Sequence, residues 1–264
     1  MGRFDGRVGF VTGGGTGLGL ACARAIVEGG GRAMLGGRRE DVVRDAARSL
    51  GPAAAPVRCD VTDDASVDAA VAATLDRFGS LGLAVNAAGA GSAGSVLNST
   101  PAELATLLDT NLVGVFRCVR AEAKAMKAAG GGSIVNVSSI AGALTHRWMT
   151  AYCISKAGLN MLTRCAADDL GEHAIRVNAV MPGLVPTDLA APLAGNPDSV
   201  AEYQRCMPLA RLGQAGDVAA LVAFLLSDEA AWITGQCVGV DGGHTIRKGP
   251  DLVPLFRQIF PEER

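Results

Sequence analysis

Seven short apolar runs recur along this chain and leave little choice of fold: Val8–Thr12, Ala33–Gly36, Val57–Asp60, Leu83–Asn86, Ser133–Val137, Ile175–Val180 and Cys237–Val240. They are rich in valine, isoleucine, leucine and alanine, and they show no alternation of apolar with polar residues. A strand with no polar face has to be covered above and below, which is the condition of strands in a parallel sheet. Longer stretches with helical character separate them: Gly17–Gly29, Arg39–Leu50, Asp63–Phe78, Pro101–Ala129, Thr150–Gly171 and Asp217–Ser227. Thr100-Pro101 is a strong helix start, with threonine as cap and proline at the first helical position. Asp63, Asp64, Glu103 and Asp109 favour amino-terminal turns, as the helix dipole prefers. Strand–helix–strand alternation implies right-handed crossovers, hence an α/β fold with a doubly wound parallel sheet of about seven strands and helices on both faces.

The chain has 264 residues, 49% apolar and 19% charged, which suits one folded domain over residues 1–264. A net charge of −2 offers no basic footprint for nucleic acid. No apolar run reaches the roughly 18 residues that span a bilayer. Met1–Arg7 carries charge and has no signal-peptide core, so a cytoplasmic location is expected. Seven cysteines are scattered without a CxxC pair, which argues against a disulfide framework or a metal site. Residues 186–208, with their Pro, Gly and Asn, read as irregular and as a mobile lid over a substrate site. The tail 248–264 carries Leu252, Val253, Leu255, Phe256, Ile259 and Phe260 beyond a complete sheet. It packs either on a neighbouring subunit or on its own domain.

The first strand runs into Gly13-Gly14-Gly15-Thr16-Gly17-Leu18-Gly19, and a helix follows. Glycine lets a backbone approach a pyrophosphate, and a helix N-terminus offers unpaired N–H groups and partial positive charge. Gly13, Gly15, Thr16, Gly17, Leu18 and Gly19 are therefore candidate dinucleotide contacts in a Rossmann-type fold. An NAD site usually places an acid some 20 residues past this loop, to hold the ribose hydroxyls. Here the second strand ends Gly36-Gly37-Arg38-Arg39. Arginine suits a 2′-phosphate because its planar fork binds two oxygens. NADP(H) is favoured, with Arg38 as the main contact and Arg39 second; NAD(H) stays open because Thr16 stands where a basic residue would have helped. Asp60, with Val61 beside it, ends the third strand, where a carboxylate can accept a hydrogen bond from the adenine amine. Asn86, Ala88 and Gly89 end the fourth. All face the carboxyl edge of the sheet, where ligands bind in open α/β folds.

Tyr152 and Lys156 are four residues apart near the start of a helix, so they share a face. An ammonium beside a phenol favours the phenolate and lowers a pKa that is ordinarily about 10. Ser139 closes the preceding strand at the same edge, where its hydroxyl can hold a substrate oxygen. Asn111 falls mid-helix, where an amide is mildly unfavourable, and a buried role in ordering a water beside the lysine would explain it.

Taken in order, these motifs resemble the short-chain dehydrogenase/reductase family over essentially the whole chain, in its 3-ketoacyl-reductase-like branch. The match runs through Thr12-Gly13-x3-Gly17-x-Gly19, Asn86-Ala87-Ala88-Gly89, Asn111, Ser139, Tyr152-x3-Lys156, Pro182-Gly183, Thr187 and Arg211-Leu212-Gly213. It ends in Thr234-Gly235-x3-Gly239-Val240-Asp241-Gly242-Gly243. The resemblance implies hydride transfer between a nicotinamide and a carbonyl or alcohol carbon, without a metal. Tyr152 would be the general acid/base and Lys156 its pKa modulator and ribose contact. Ser139 would position the substrate oxygen, and Asn111 would support a proton relay. Pro182, Gly183, Val185 and Thr187 would lie by the nicotinamide, and a homo-oligomer, commonly a tetramer, is implied. Alternatives are an NAD-dependent alcohol dehydrogenase of the same fold and a non-catalytic NADP(H)-sensing regulator; a regulator has no need of Asn111, Ser139, Tyr152 and Lys156 together. The substrate is a small-molecule carbonyl or alcohol, with a pocket expected from Ser92–Leu97, Ile140–Met149 and Leu184–Pro208. Within it, His146 reads as a polar rim residue, and Arg147 reads as a solvated loop residue or an anion contact.

Overall fold

The computed structural model describes residues 2–247, so the expected role of the tail 248–264 lies outside the described residues. Among the described residues there are seven strands: β1 (Val8–Thr12), β2 (Arg32–Gly37), β3 (Ala54–Arg58), β4 (Leu83–Asn86), β5 (Gly132–Val137), β6 (Ile175–Pro182) and β7 (Cys237–Val240). They form one sheet in the order β3-β2-β1-β4-β5-β6-β7, and every pairing is parallel. The helices are α1 (Gly17–Glu28), α2 (Glu40–Leu50), α3 (Asp64–Phe78), α4 (Pro101–Leu108), α5 (Gly114–Ala128), α6 (Thr150–Gly171), α7 (Ala191–Ala194), α8 (Pro197–Cys206) and α9 (Ala215–Leu226). No helix among the described residues is long and apolar enough to cross a membrane.

Neighbouring residues of the central strands go to different cores, which is why the strands lack a polar face. Phe10, Ala84 and Ile134 pack with Val67, Val119 and Leu159 on one side. Val11, Val85 and Val135 pack with Ile26, Val218 and Val222 on the other. The register aligns the strand ends: Thr12 stands opposite Gly36 and Asn86, and Asn86 opposite Asn136. β1, β4 and β5 therefore stop level, and the chain reverses direction between β1 and β4. A crevice opens at such a switch point.

Three expectations change. The third strand lies at Ala54–Arg58 instead of Val57–Asp60, because Ala33–Gly37 pairs with Ala54–Arg58 and the ladder ends there. It is an edge strand that includes Pro56, a residue tolerated only where no ladder bond is lost. The stretch Pro101–Ala129 is not one regular helix: a π-helical turn, Asp109–Val113, joins α4 to α5, with Gly114 N–H bonded back to the Asp109 carbonyl. Residues 186–208 are not irregular but hold a 3₁₀ turn at Asp188–Ala190 and the helices α7 and α8. Asn196 and Pro197, which look like loop residues, are the cap and first position of α8; the Asn196 carboxamide oxygen accepts from Ser199 N–H at 2.9 Å.

The middle of the sheet carries a buried polar chain. Asn86 Nδ2 donates to Glu122 Oε2 (3.0 Å) and Asn136 Oδ1 (3.1 Å), and Asn136 Nδ2 donates to Thr163 Oγ1 (3.0 Å). Glu122 is fully buried, its Oε1 has no partner among the described residues, and burial pushes its pKa up to about 8. Unfolded, a glutamate titrates near 4.3. From there up to about 8 the folded chain holds a proton that the unfolded chain has lost. The protonated carboxyl's contribution to stability is thus complete below the unfolded value and fades as pH rises to 8. Glu122→Gln is expected to lose less thermal stability than the parent between pH 5 and pH 8. Melting curves of both across that range measure it, and parallel pH profiles would refute it.

Candidate active site

A cleft of about 600 Å³ runs along the carboxyl edge of the sheet, within the usual range for a cofactor or ligand pocket. Gly13, Gly15, Thr16, Gly17, Leu18 and Gly19 line it at one end, with Arg38, Asp60, Val61, Ala88 and Gly89. Ser139, Tyr152, Lys156, Pro182, Gly183, Val185 and Thr187 line it further along. Asn86 and Asn111 do not: both are buried just beneath the cleft floor, where they hold other groups in place.

The glycine loop is shaped for close backbone approach. Gly13 has φ +65°, and a Cβ there would stand 2.8 Å from Ala88 N, so β1 and the β4 loop touch only because a side chain is missing. Thr16 caps α1 without a side-chain hydrogen bond, and no acid occupies the first turn. The leading N–H groups are thus left for an anion, which the helix dipole also favours. Arg38 and Arg39 are exposed on the cleft wall, and Arg58 stands opposite Gly37 in the register. The Asp60 carboxyl is held below its ordinary range by the Thr62 N–H, against an opposing effect of burial and with help from the Thr62 hydroxyl, Arg38 and Arg58. An uncapped helix end, a cluster of guanidinium groups and one free carboxylate oxygen fit an adenine dinucleotide.

Ser139 caps the 3₁₀ turn Ile140–Gly142, and its Oγ accepts from Ala141 N–H at 3.1 Å. That spends a lone pair and leaves the hydroxyl hydrogen to donate on the Tyr152 side, where it favours the phenolate. A Cβ on Gly142 would stand 2.7 Å from the Lys156 carbonyl oxygen, so this turn can sit directly on α6. Ser138 Oγ donates to the same carbonyl at 3.3 Å. Lys156 is buried, and its Nζ donates to the Val137 carbonyl at 2.9 Å, 5.8 Å from the Tyr152 ring centroid.

The electrostatics correct the expected sign for Tyr152. Burial raises its pKa, Ser139 works against that rise, and Tyr203 and Cys153 add to it. Burial also pulls Lys156 down to about 8. Desolvation disfavours whichever form is charged, so both groups move toward neutrality. The ammonium donates to a backbone carbonyl, that of Val137.

Further lining comes from Gly91, Ile140, Ala141, His146 and Met149, and from Leu189, Leu193 and Tyr203 on the 186–208 segment. Ser92–Leu97 and Arg147, expected near the substrate, do not line the cleft. Gly94 instead braces the Met149 turn: its N–H donates to the Trp148 carbonyl at 2.7 Å, and its carbonyl accepts from Thr150 N–H at 3.2 Å. Tyr203 was not singled out by sequence reasoning, although the chain has only two tyrosines and both line this cleft.

A family model described as enoyl-(acyl carrier protein) reductase matches residues 13–245. A solved short-chain type dehydrogenase/reductase from Mycobacterium ulcerans superposes with a TM-score of 0.90 at 36% identity, covering 98% of this chain and 97% of that one. The chain belongs to the short-chain dehydrogenase/reductase family. It is similar to the galactitol 2-dehydrogenase (L-tagatose-forming) of Cereibacter sphaeroides, 34% identical over 92% of this chain and 97% of that protein. It is also similar to the cis-4-hydroxycyclohexanecarboxylate dehydrogenase of Sinomonas cyclohexanicum, 40% identical over 92% and 98%. Like the family, it is an NAD(P)-dependent oxidoreductase acting on CH–OH and C=O groups.

Asn111 lies in the π-helical turn, fully buried. Its Oδ1 accepts from Ala90 N–H at 2.8 Å, and its Nδ2 donates to the Ala90 carbonyl at 2.9 Å and to Ser155 Oγ at 3.1 Å. Ser155 Oγ in turn donates to the Tyr152 carbonyl at 2.8 Å. One side chain thus ties the β4 loop to the turn of α6 that carries Tyr152, which places π-helical widening at a functional site. Asn111→Leu keeps much of the volume but orphans both polar groups of Ala90. It is expected to cost about 2–4 kcal/mol in chemical denaturation and to lower turnover; an unchanged denaturation midpoint would contradict this bracing role.

Proposed function

We propose that the enzyme transfers hydride between NADP(H) and a ketone or secondary alcohol, with Tyr152 as general acid/base. The observation that carries the reading is the convergence of Ser139, Tyr152 and Lys156 on one cleft whose other end presents Arg38 and Arg39. When bound, the nicotinamide supplies hydride in the reducing direction and accepts it in the oxidising one. Tyr152 delivers its phenol proton to the substrate oxygen in reduction and recovers it in oxidation. With substrate bound, Ser139 donates its hydroxyl hydrogen to the same oxygen and stabilises the charge that develops there. Lys156, one turn from Tyr152, favours the phenolate while its ammonium is protonated, and Asn111 supports the relay by holding that turn. Pro182, Gly183, Val185 and Thr187 border the nicotinamide end.

The relatives support the substrate class: their names specify galactitol, cis-4-hydroxycyclohexanecarboxylate and 3alpha-hydroxysteroid oxidation. Segment 186–208 serves as the lid, a role supported by Thr187 lying against Gly17 and Leu189 against Gly91. Exposed Val113 and Phe116 on one helical stretch, with Ile154 and Met161 on α6, support a homo-oligomer, in family terms a tetramer. Seven unpaired cysteines support a cytoplasmic setting. NAD(H) is the second reading, favoured by Thr16 in the phosphate loop.

Tyr152→Phe is expected to lower turnover by at least about 100-fold while cofactor binding, followed by fluorescence quenching, is retained. Undiminished turnover would remove Tyr152 from the chemistry. Arg38→Leu is expected to cut the kcat/KM preference for NADPH over NADH by about tenfold or more, as loss of a charge-assisted bond does. An unaltered ratio would move the reading to NAD(H).

A further inference from the structure

Three aromatic side chains from separate segments meet at the catalytic end of the cleft. His146 precedes α6, Tyr203 lies on α8, and His244 follows β7. Their ring centroids are 6.3 Å apart for His146 and Tyr203, 6.0 Å for His146 and His244, and 5.5 Å for Tyr203 and His244. His146 and Tyr203 line the cleft together with Tyr152, and Tyr203 is close enough to raise the Tyr152 pKa. The proton transfer uses none of the three.

His146 Nδ1 lies 3.3 Å from the Leu144 carbonyl, which can only accept, so the proton sits on Nδ1 and Nε2 is free. His244 Nδ1 is buried without a partner among the described residues, and His244 itself does not line the cleft. The neighbouring walls, Met149, Leu189 and Leu193, are apolar. A polyol would find no partners along them. The guanidinium groups of Arg38 and Arg39 line the opposite end, and Lys156 is committed to Val137, so a dianionic phosphate has no fixed cation here.

We propose that His146 and Tyr203, backed by His244, recognise a carboxylate, which makes the substrate a keto or hydroxy acid with an apolar body between its acid group and the reacting carbon. The proposal rests on the dehydrogenase reading for the identity of the pocket as the substrate site. A carboxylate accepts from two or three donors at once, and the phenol O–H and the imidazoles, once protonated, provide them.

Other titratable groups facing the trio are accounted for. The thiols of Cys153 and Cys206 flank Tyr203. Asp241 faces His244, but its two oxygens accept the N–H groups of Gly243 (2.9 Å) and Thr245 (2.8 Å). Asp188 lines the cleft and is exposed to solvent. Burial first, then the neighbouring His146, lowers the His244 pKa. An incoming anion offsets both effects, so carboxylate affinity rises as pH falls.

The test compares 4-acetylbenzoate with 4-acetylbenzamide, nearly the same in shape and different in charge. Each is titrated calorimetrically into the protein saturated with oxidised cofactor, a mixture in which no reduction can occur. At pH 6 the acid is expected to bind at least about tenfold more tightly, as charge-assisted hydrogen bonds allow, with the advantage shrinking toward pH 8. The double variant His146→Gln/His244→Gln should bring the two affinities to within about twofold of each other, and Tyr203→Phe, which removes one hydroxyl, should narrow the gap by about threefold or more. Equal affinities in the parent protein, or an acid preference that survives the histidine substitutions, would overturn the proposal. Turnover of both ketones with NADPH and NADH is the separate arm. Selective acid binding with no reduction counts against the dehydrogenase reading and upholds the recognition site; reduction of both with equal kcat/KM overturns the recognition site and leaves the dehydrogenase standing.

Discussion

Asn86 spends its whole amide inside the protein, and the cleft takes its shape from that. Its nitrogen is shared between Glu122 and Asn136, and its oxygen lies 3.5 Å from the Thr12 hydroxyl. Thr12 Oγ1 in turn accepts from Ala88 N–H at 3.3 Å. The loop leaving β4 is therefore pinned to the end of β1 at the point where the chain reverses direction across the sheet. The contact between Gly13 and Ala88 completes the same corner. A buried amide with every function paired specifies one arrangement, because any slip leaves a polar group unpaired in an apolar interior. The phosphate end and the catalytic end of the cleft both hang on this corner.

From that fixed edge the chemistry follows a simple division. Buried groups on α6 and β5 hold their positions through backbone carbonyls: Lys156 through Val137, Ser138 through Lys156, and Ser155 through Tyr152. The same burial drives Tyr152 and Lys156 toward their neutral forms. A neutral phenol is the correct state for delivering a proton.

How much of this was legible in the sequence depends on the range over which each signal acts. Most of the strand and helix pattern, the glycine loop, and Ser139, Tyr152 and Lys156 carry local signals, and the structure brings the loop and the three side chains to one cleft. Pro56 hid the start of β3, because an edge strand tolerates a residue that an interior strand excludes. The π-helical turn at Asp109–Val113 left no mark, since widening a helix by one residue per turn depends on what packs against it. The sign of the Tyr152 shift was missed for a related reason. Tyr-x3-Lys spacing gives proximity along a helix, whereas burial and the Val137 carbonyl are set by the rest of the fold. Asn86 reads as facing the ligand, although its amide is consumed beneath it, whereas the buried role expected of Asn111 places it where the structure does.

The helical segment 186–208 marks where this logic changes. The sheet edge is built from buried groups tied together by hydrogen bonds, so substitution there leaves polar atoms unpaired. Leu189 is half exposed, and α7 and α8 contribute no fully buried residue. Segments with few buried contacts open at low free-energy cost. They can therefore change sequence without disturbing the corner at Asn86. Tyr203 sits on such a segment, while His146 belongs to the loop that leads into the catalytic helix and His244 to the turn after the last strand. The carboxylate proposal thus places substrate choice on a segment that opens at low cost, with His146 joining it to the loop before the catalytic helix.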